Sequence, residues 1–234
     1  MKNKILLLVL LTGFTQSAMA QLFSKERLIN LENFDKRTLS WGYFLGFNSY
    51  DFKFKYKTRY SNNEDIEDIK VKTNFGFNVG LIGDLRINNY LNLRLEPGLS
   101  YSRRDLTFPD NNNTESTTKA TYIHIPLLLK VSTKRINNFK PFIIGGASTA
   151  INLSSKEKSQ DSYHNGKYRM TTNPFFYELG FGIDFYFYYF KFTPSIRGVF
   201  AITNELVPDN HPGSPTSNID SMESRAIFIN FTFQ

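Results

Sequence analysis

The stretch Phe175-Phe176-Tyr177-Glu178-Leu179-Gly180-Phe181-Gly182-Ile183-Asp184-Phe185-Tyr186-Phe187 decides the fold. Every odd position is bulky and apolar: Phe175, Tyr177, Leu179, Phe181, Ile183, Phe185 and Phe187. The even positions between them include Glu178, Gly180, Gly182 and Asp184. Successive side chains of a strand point to opposite faces, so this segment has one greasy face and one small or polar face. No helical period fits it.

Seven further segments carry the same period. Val71 to Leu81, Leu91 to Tyr101, Ile123 to Val131 and Ile227 to Phe233 alternate cleanly, with apolar residues at odd positions. Three are less regular. The first begins with Trp41, Tyr43, Leu45 and Phe47, after which the apolar phase moves to Phe52 and Phe54. A bulge near residues 48–50, or exit of the strand from an apolar layer, accounts for that shift. Residues 141–152 are rich in Gly and Ala, with ambiguous facing. Residues 190–200 set Phe192, Ile196 and Phe200 against Lys191 and Arg197.

The connections alternate strictly. Long polar ones cover about residues 57–70, 103–119, 153–173 and 203–223; short ones lie near Asn88-Asn89, residues 134–138 and Tyr188-Tyr189. Eight up-and-down strands have four connections at one end and three at the other. The sequence therefore predicts an all-β, eight-stranded antiparallel up-and-down transmembrane β-barrel. Its short turns are periplasmic and its four long loops extracellular.

Other features agree. Lys2 and Lys4, the apolar run 5–11 and Ala18-Met19-Ala20 form a secretory signal, with cleavage expected after Ala20. The apolar run is too short to span a bilayer, which takes roughly 20 residues as a helix. No Cys follows it, so a lipid-anchored lipoprotein is excluded. The expected organisation is a signal peptide at 1–20, a periplasmic segment at 21–40 and a barrel at 41–234. The address is the bacterial outer membrane. The mature chain carries 26 basic and 21 acidic side chains, scattered rather than striped, which excludes a nucleic-acid partner. With no Cys, the exported chain relies on backbone pairing and packing.

A soluble eight-stranded barrel also alternates, with the greasy face turned inward. Here the less greasy face is mostly Gly, Ala, Ser, Thr and Asn, which suits a narrow lumen filled by side chains. The Phe, Tyr and Leu of the other face would overfill such a lumen. Turned outward they suit lipid. Trp41, Tyr43, Tyr90, Tyr101, Tyr188, Tyr189 and Phe233 fall at strand ends, where aromatic girdles sit. Outer-membrane lipid and lipopolysaccharide are the surroundings this implies.

That facing turns Arg94, Glu96, His124, Glu178, Asp184 and Arg197 inward. Charges in so tight a space must pair. A structural plug of ion pairs is one reading; a proton or ion path, or a gate, is the other. Nothing specifies a reaction, a cofactor or a metal, and the chain is read as no enzyme. His124 lies in a strand, while His164 and His211 sit in separate loops without a ligand cluster. The acidic run 64–68 lacks calcium-loop spacing. Gly145-Gly146 lacks the Lys-Ser/Thr and helix of a phosphate loop.

Residues 33–37 (Asn-Phe-Asp-Lys-Arg), followed by Trp41-Gly42-Tyr43-Phe44-Leu45-Gly46-Phe47-Asn48, resemble the start of the PorT/SprT proteins. Tyr122 to Lys130, Lys140-Pro141-Phe142 and Gly145-Gly146 are similar to patterns across Bacteroidetes outer-membrane barrels. The likeness covers residues 30–234. It implies a role in the type IX secretion system, which exports folded cargo and in many members supports gliding, and it carries over no catalytic residue. Eight strands are too narrow for folded cargo, so the resemblance implies an accessory subunit whose partners are other secretion components. Phe34, Asp35, Lys36 and Arg37 then become a candidate periplasmic docking segment, with a tethered tail as the alternative. Adhesion or host contact through the long loops is the rival function.

Overall fold

A computed structural model describes residues 29–57, 69–107, 115–155, 169–207 and 219–234. The signal peptide, residues 21–28, the acidic run 64–68, His164 and His211 lie outside the described residues. In chain order come a 3-10 turn η1 (Phe34–Lys36), β1 (Leu39–Tyr56), β2 (Lys70–Thr73), β3 (Phe75–Arg86), β4 (Leu91–Leu95) and β5 (Gly98–Thr107). Then follow β6 (Glu115–Ser132), β7 (Phe139–Asn152), β8 (Arg169–Met170), β9 (Phe175–Tyr186), β10 (Lys191–Ala201), β11 (Leu206–Val207) and β12 (Ile219–Phe233).

Antiparallel pairing runs β1-β12-β10-β9-β7-β6, passes through β4 and β5 to β3, and returns from β3 to β1. The ring of hydrogen bonds is therefore closed, which leaves no unpaired edge in lipid. Eight staves make it: β1, β2 with β3, β4 with β5, β6, β7, β9, β10 and β12. The gap between β4 and β5 falls at Glu96-Pro97, where proline has no N–H to give. Pairing carries on around it, because Leu81 N donates to the Pro97 carbonyl and Glu96 N to that of Pro126. β8 and β11 form a separate two-stranded ribbon.

The alternation read from residues 175–187 is visible in β9, whose odd positions point out and whose even positions are mostly buried. The ambiguous segment is resolved in the same way: Phe142, Ile144, Ser148, Ala150 and Asn152 of β7 face the lumen. Gly80 pairs with Gly98, and the Phe44 ring fills the space that a Cβ on either would need. On β3 the outward residues from Phe75 to Leu85 cover ten strand steps, roughly 33 Å along the strand. At a tilt of ~40° this gives roughly 25 Å of height, that of an outer-membrane apolar band.

Of the two alternatives for β1, exit from the apolar layer is the one observed. Two expectations need correction: the lengths of the long connections, and the facing of residues 71–73, where Val71 packs inward opposite Leu106 and Lys72 faces outward. β1 has no bulge at residues 48–50; its register with β12 is unbroken from Tyr43 to Lys55. The strand instead leaves the apolar layer. Its outward side chains change from Trp41, Tyr43, Leu45 and Phe47 to Asp51, Lys53 and Lys55, while its inward ones change from Asn48 to Tyr50 and Phe52. β12 mirrors this, with Glu223 and Arg225 outside and Met222 inside. The long connections are accordingly shorter than their polar composition suggested, since β5 runs to Thr107, β6 starts at Glu115 and β12 starts at Ile219. Beyond the apolar band the barrel wall continues as a crown with water-facing charges and an apolar interior, which is why an apolar-outward pattern stops before the strands do.

Candidate functional site

The lumen is occupied along its whole length, and each storey has its own chemistry. At the end that carries the short turns, residues 30–37 fold across the mouth. Leu31 adopts φ 49°, which turns the chain into η1. Asn30 N donates to Asn138 Oδ1 at 2.9 Å, and its amide donates to the Tyr186 carbonyl at 3.0 Å. Arg135 donates to the carbonyls of Asn30 and Leu31 and lies 3.7 Å above the Tyr186 ring. Phe34 is buried with its ring edge-on to Tyr186 and the Lys191 ammonium 4.6 Å above it. Asp35 Oδ1 accepts from the Tyr186 hydroxyl at 2.6 Å, and Arg135 lies 3.5 Å from its other oxygen. Of the candidate docking residues, Phe34 and Asp35 are thus held by the barrel's own rim. Lys36 and Arg37 remain exposed, with Lys36 donating to Asn33 and the Arg37 guanidinium over the Phe34 ring.

Behind this latch lies the buried ion network, which brings together all six candidate lumen residues and several more. Lys130 meets Asp184 at 2.5 Å, and Asp184 also accepts from Thr193 at 2.8 Å. Arg94 meets Asp84 at 2.6 Å and Glu96 at 3.4 Å. Arg197 bridges Glu96 and Glu178, each at 2.8 Å. His124 Nε2 lies 3.1 Å from Glu178 and 3.0 Å from the Ser148 hydroxyl. The Arg197–Glu178 and His124–Glu178 contacts are close charge contacts without hydrogen-bond alignment, since both Glu178 oxygens and Arg197 Nε lack an aligned partner. Beside them Asn48, Asn78, Ser100 and Asn230 form a hydrogen-bonded cluster, with Asn48 donating to Asn78 at 2.6 Å.

Ser148, His124 and Glu178 have the composition of a hydrolytic triad but not its wiring. Both contacts fall on Nε2 of the imidazole, whereas proton relay needs the acid on one ring nitrogen and the hydroxyl on the other. The group is also buried within the wall, its imidazole edge-on to Phe176 and Phe228. The described residues hold no group of three or more His, Cys, Asp or Glu placed to bind a metal ion.

Above the ions an apolar layer crosses the bore: Tyr50, Tyr122, Phe176, Val199 and Phe228 with four alanines. Tyr50 stacks on Tyr122 at 5.7 Å and meets Phe228 edgewise at 5.6 Å. Higher still, the crown core joins Phe52, Ile69, Leu106, Met170, Leu206, Ile219 and Met222. Between the two layers Arg104 lies 4.0 Å over the Phe52 ring and donates to Tyr122 Oη and Ser224 Oγ. Ser224 in turn donates to Glu205 through both its backbone N and its hydroxyl. Burial pushes the Glu205 carboxyl up despite Arg104 and these hydrogen bonds.

Sequence reading missed Asp84, Lys130, Lys191, Arg104 and Glu205 as network members. Asp84 and Lys130 share the inward parity of neighbours already placed there, so extending the same phase reaches them. Arg104 and Glu205 fell in segments read as loops.

Sequence comparison identifies a family model, described as outer membrane protein beta-barrel domain, that matches residues 16–207. No curated protein matches in sequence. Among solved structures, the chain is similar to the outer membrane protein OprG from Pseudomonas aeruginosa, at 12% identity and a TM-score of 0.46, over 83% of this chain and 93% of that one. It is also similar to Neisserial surface protein A, at 10% identity and a TM-score of 0.43, over 84% and 98%. The attachment invasion locus protein Ail of Yersinia pestis matches at 13% identity and a TM-score of 0.37, over 82% and 96%.

Proposed function

The chain belongs to the outer-membrane-protein β-barrel family, and from that premise we propose that it is a non-enzymatic, non-conducting accessory subunit of the type IX secretion machinery. It acts through its two rims and not through its bore. The observation that carries this reading is the filled lumen: a latch, a buried ion network, an apolar layer and a crown core succeed one another along the axis. A bore so filled passes neither folded cargo nor a substrate, so the working surfaces are the ends. The secretion assignment is supported by the resemblance of residues 33–48 to the start of the PorT/SprT proteins. Those residues form the periplasmic latch and the first half of β1, where Lys36, Arg37 and Thr38 are exposed to a periplasmic partner. Deleting the gene should trap type IX cargo in the periplasm, and crosslinking in intact outer membranes should recover secretion components. Normal export in the deletion strain removes the reading.

A second reading, surface contact through the extracellular crown, is favoured by the extension of β1, β5, β6 and β12 beyond the apolar band. It requires that crown truncations leave export intact and abolish attachment.

A further inference from the structure

At the level where lipid meets water, the outer wall of β5 and β6 changes chemistry one cross-strand pair at a time. Leu99 faces Ile123, Tyr101 faces Thr121, Arg103 faces Lys119, and Asp105 faces Thr117. Leu99 lies against lipid, and Tyr101 stacks on Phe77 at 5.5 Å to form the aromatic step of the interface. The next pair up, roughly 7 Å further along the strand, places two exposed cations directly opposite each other. Like charges in that position destabilise a sheet. Among the described residues Arg103 has one carboxylate within reach, Asp105 at 3.4 Å, and Asp105 is already engaged by Thr117 at 2.8 Å and Asn74 at 3.0 Å. Lys72, paired with Asp105 across β2 and β5, is exposed and adds a third cation to this one carboxylate. Lys72 and Lys119 have no ion-pair partner among the described residues.

The β1–β12 seam provides the contrast. There most of the water-facing charges are paired: Asp51 with Arg225 at 2.6 Å and Lys55 with Glu223 at 2.6 Å, with Lys53 opposite Glu223. The same belt carries two carboxylates in ion pairs on one side of the barrel, and on the other a single carboxylate among three cations.

We infer that Lys72, Arg103 and Lys119 form a docking site for the phosphate groups of an outer-leaflet glycolipid. Its acyl chains lie on the apolar wall of Val79, Leu99 and Ile123 below. Charge complementarity and depth favour this occupant: an anion at this height relieves the Arg103–Lys119 repulsion, and a molecule with a phosphorylated head above greasy tails fits both levels. The inference rests on the barrel and its orientation, and stands or falls independently of a role in secretion.

The test uses the full mature chain, folded in neutral-detergent micelles and titrated with bisphosphorylated lipid A, with dephosphorylated lipid A, and with inorganic phosphate. Binding is read by native mass spectrometry, and the fold by mobility on unheated gels. The wild type should prefer phosphorylated lipid A over both other probes. At roughly 1 kcal/mol per cation near an anionic surface, Arg103→Gln with Lys119→Gln should weaken that binding about 30-fold. Lys55→Gln, in the ion-paired β1–β12 seam, should leave it unchanged. Lys119→Glu separates binding from folding, since it replaces a repulsive pair by an attractive one. It should fold at least as stably as wild type and still lose the lipid. Equal binding of dephosphorylated lipid A, equal binding of inorganic phosphate, or undiminished binding by the double variant overturns the inference.

Discussion

Replacing Arg197 with Ala probes the filled lumen at its most connected point. The guanidinium lies 2.8 Å from Glu96 and 2.8 Å from Glu178, and all three side chains are almost fully buried. Without it, among the described cations Glu96 keeps Arg94, at 3.4 Å, and Glu178 keeps His124, at 3.1 Å. Two carboxylates are then left under-neutralised where water does not reach them. Breaking a buried pair by removing one partner costs about 3–5 kcal/mol, because the remaining charge is still desolvated. That corresponds to a fall in the folded-to-unfolded ratio of roughly 150- to 5,000-fold. The assay is urea unfolding of the barrel in lipid vesicles, followed by gel mobility without heating. The midpoint should drop with the slope unchanged. Adding Glu96→Gln and Glu178→Gln, with Met at 197, should restore most of the loss, since the uncompensated charges are then gone. A single-variant effect below about 1 kcal/mol, or a triple variant no better than the single, refutes the reasoning.

Other outcomes follow from the same geometry. Arg94→Ala should destabilise the barrel without raising conductance in planar bilayers, because the Tyr50–Tyr122–Phe176–Phe228 layer still closes the bore; a large selective current refutes this. Gly98→Ala should cost about 1–3 kcal/mol in the same urea assay, since its Cβ would meet the Val79 carbonyl at 2.7 Å and the Phe44 ring at 2.8 Å. Gly83→Ala, which meets only the Trp41 ring at 3.1 Å or more, should be nearly neutral. Tyr186→Phe removes the donor to Asp35 and should speed proteolysis within residues 30–37 while leaving the barrel intact. Glu205 binds its proton more tightly folded than unfolded, so crown stability should fall as pH rises from the ordinary carboxylate range through its raised value. Hydrogen exchange at β11 and the start of β12 reads this slope, which Glu205→Gln should flatten.

The sequence showed whatever rests on local period. Residues 175–187, 75–81 and 227–233 alternate so regularly that the strands and their two faces follow from them alone, whereas at 71–73 the phase reverses, with Val71 packed inward and Lys72 outward. Partnership was less legible, because it depends on register between distant strands. Lys130 stood on the inward face in plain view, but its partner Asp184 is 54 residues away, and their meeting depends on β9 lying one strand beyond β7 from β6. Phe34 and Asp35 read as part of a tail for the same reason, since Tyr186 lies 151 residues beyond Asp35. The crown was hidden by a reversal of sign. At residues 49–51 of β1 the parity is unchanged but the solvent is not, so a search for apolar-outward alternation stops where water begins. Arg104 and Glu205, which join the crown core to the layer below, were lost with it.

That reversal is also the most exposed part of the account. The chain has no Cys, so single cysteines placed at each position from 43 to 55 and spin-labelled in reconstituted vesicles give a clean profile of oxygen and polar-reagent access. Residues 43, 45 and 47 should be open to oxygen, 51, 53 and 55 to the polar reagent, and 44, 48, 50 and 52 to neither. Oxygen access at the even positions, or one solvent for all odd positions from 43 to 55, contradicts it.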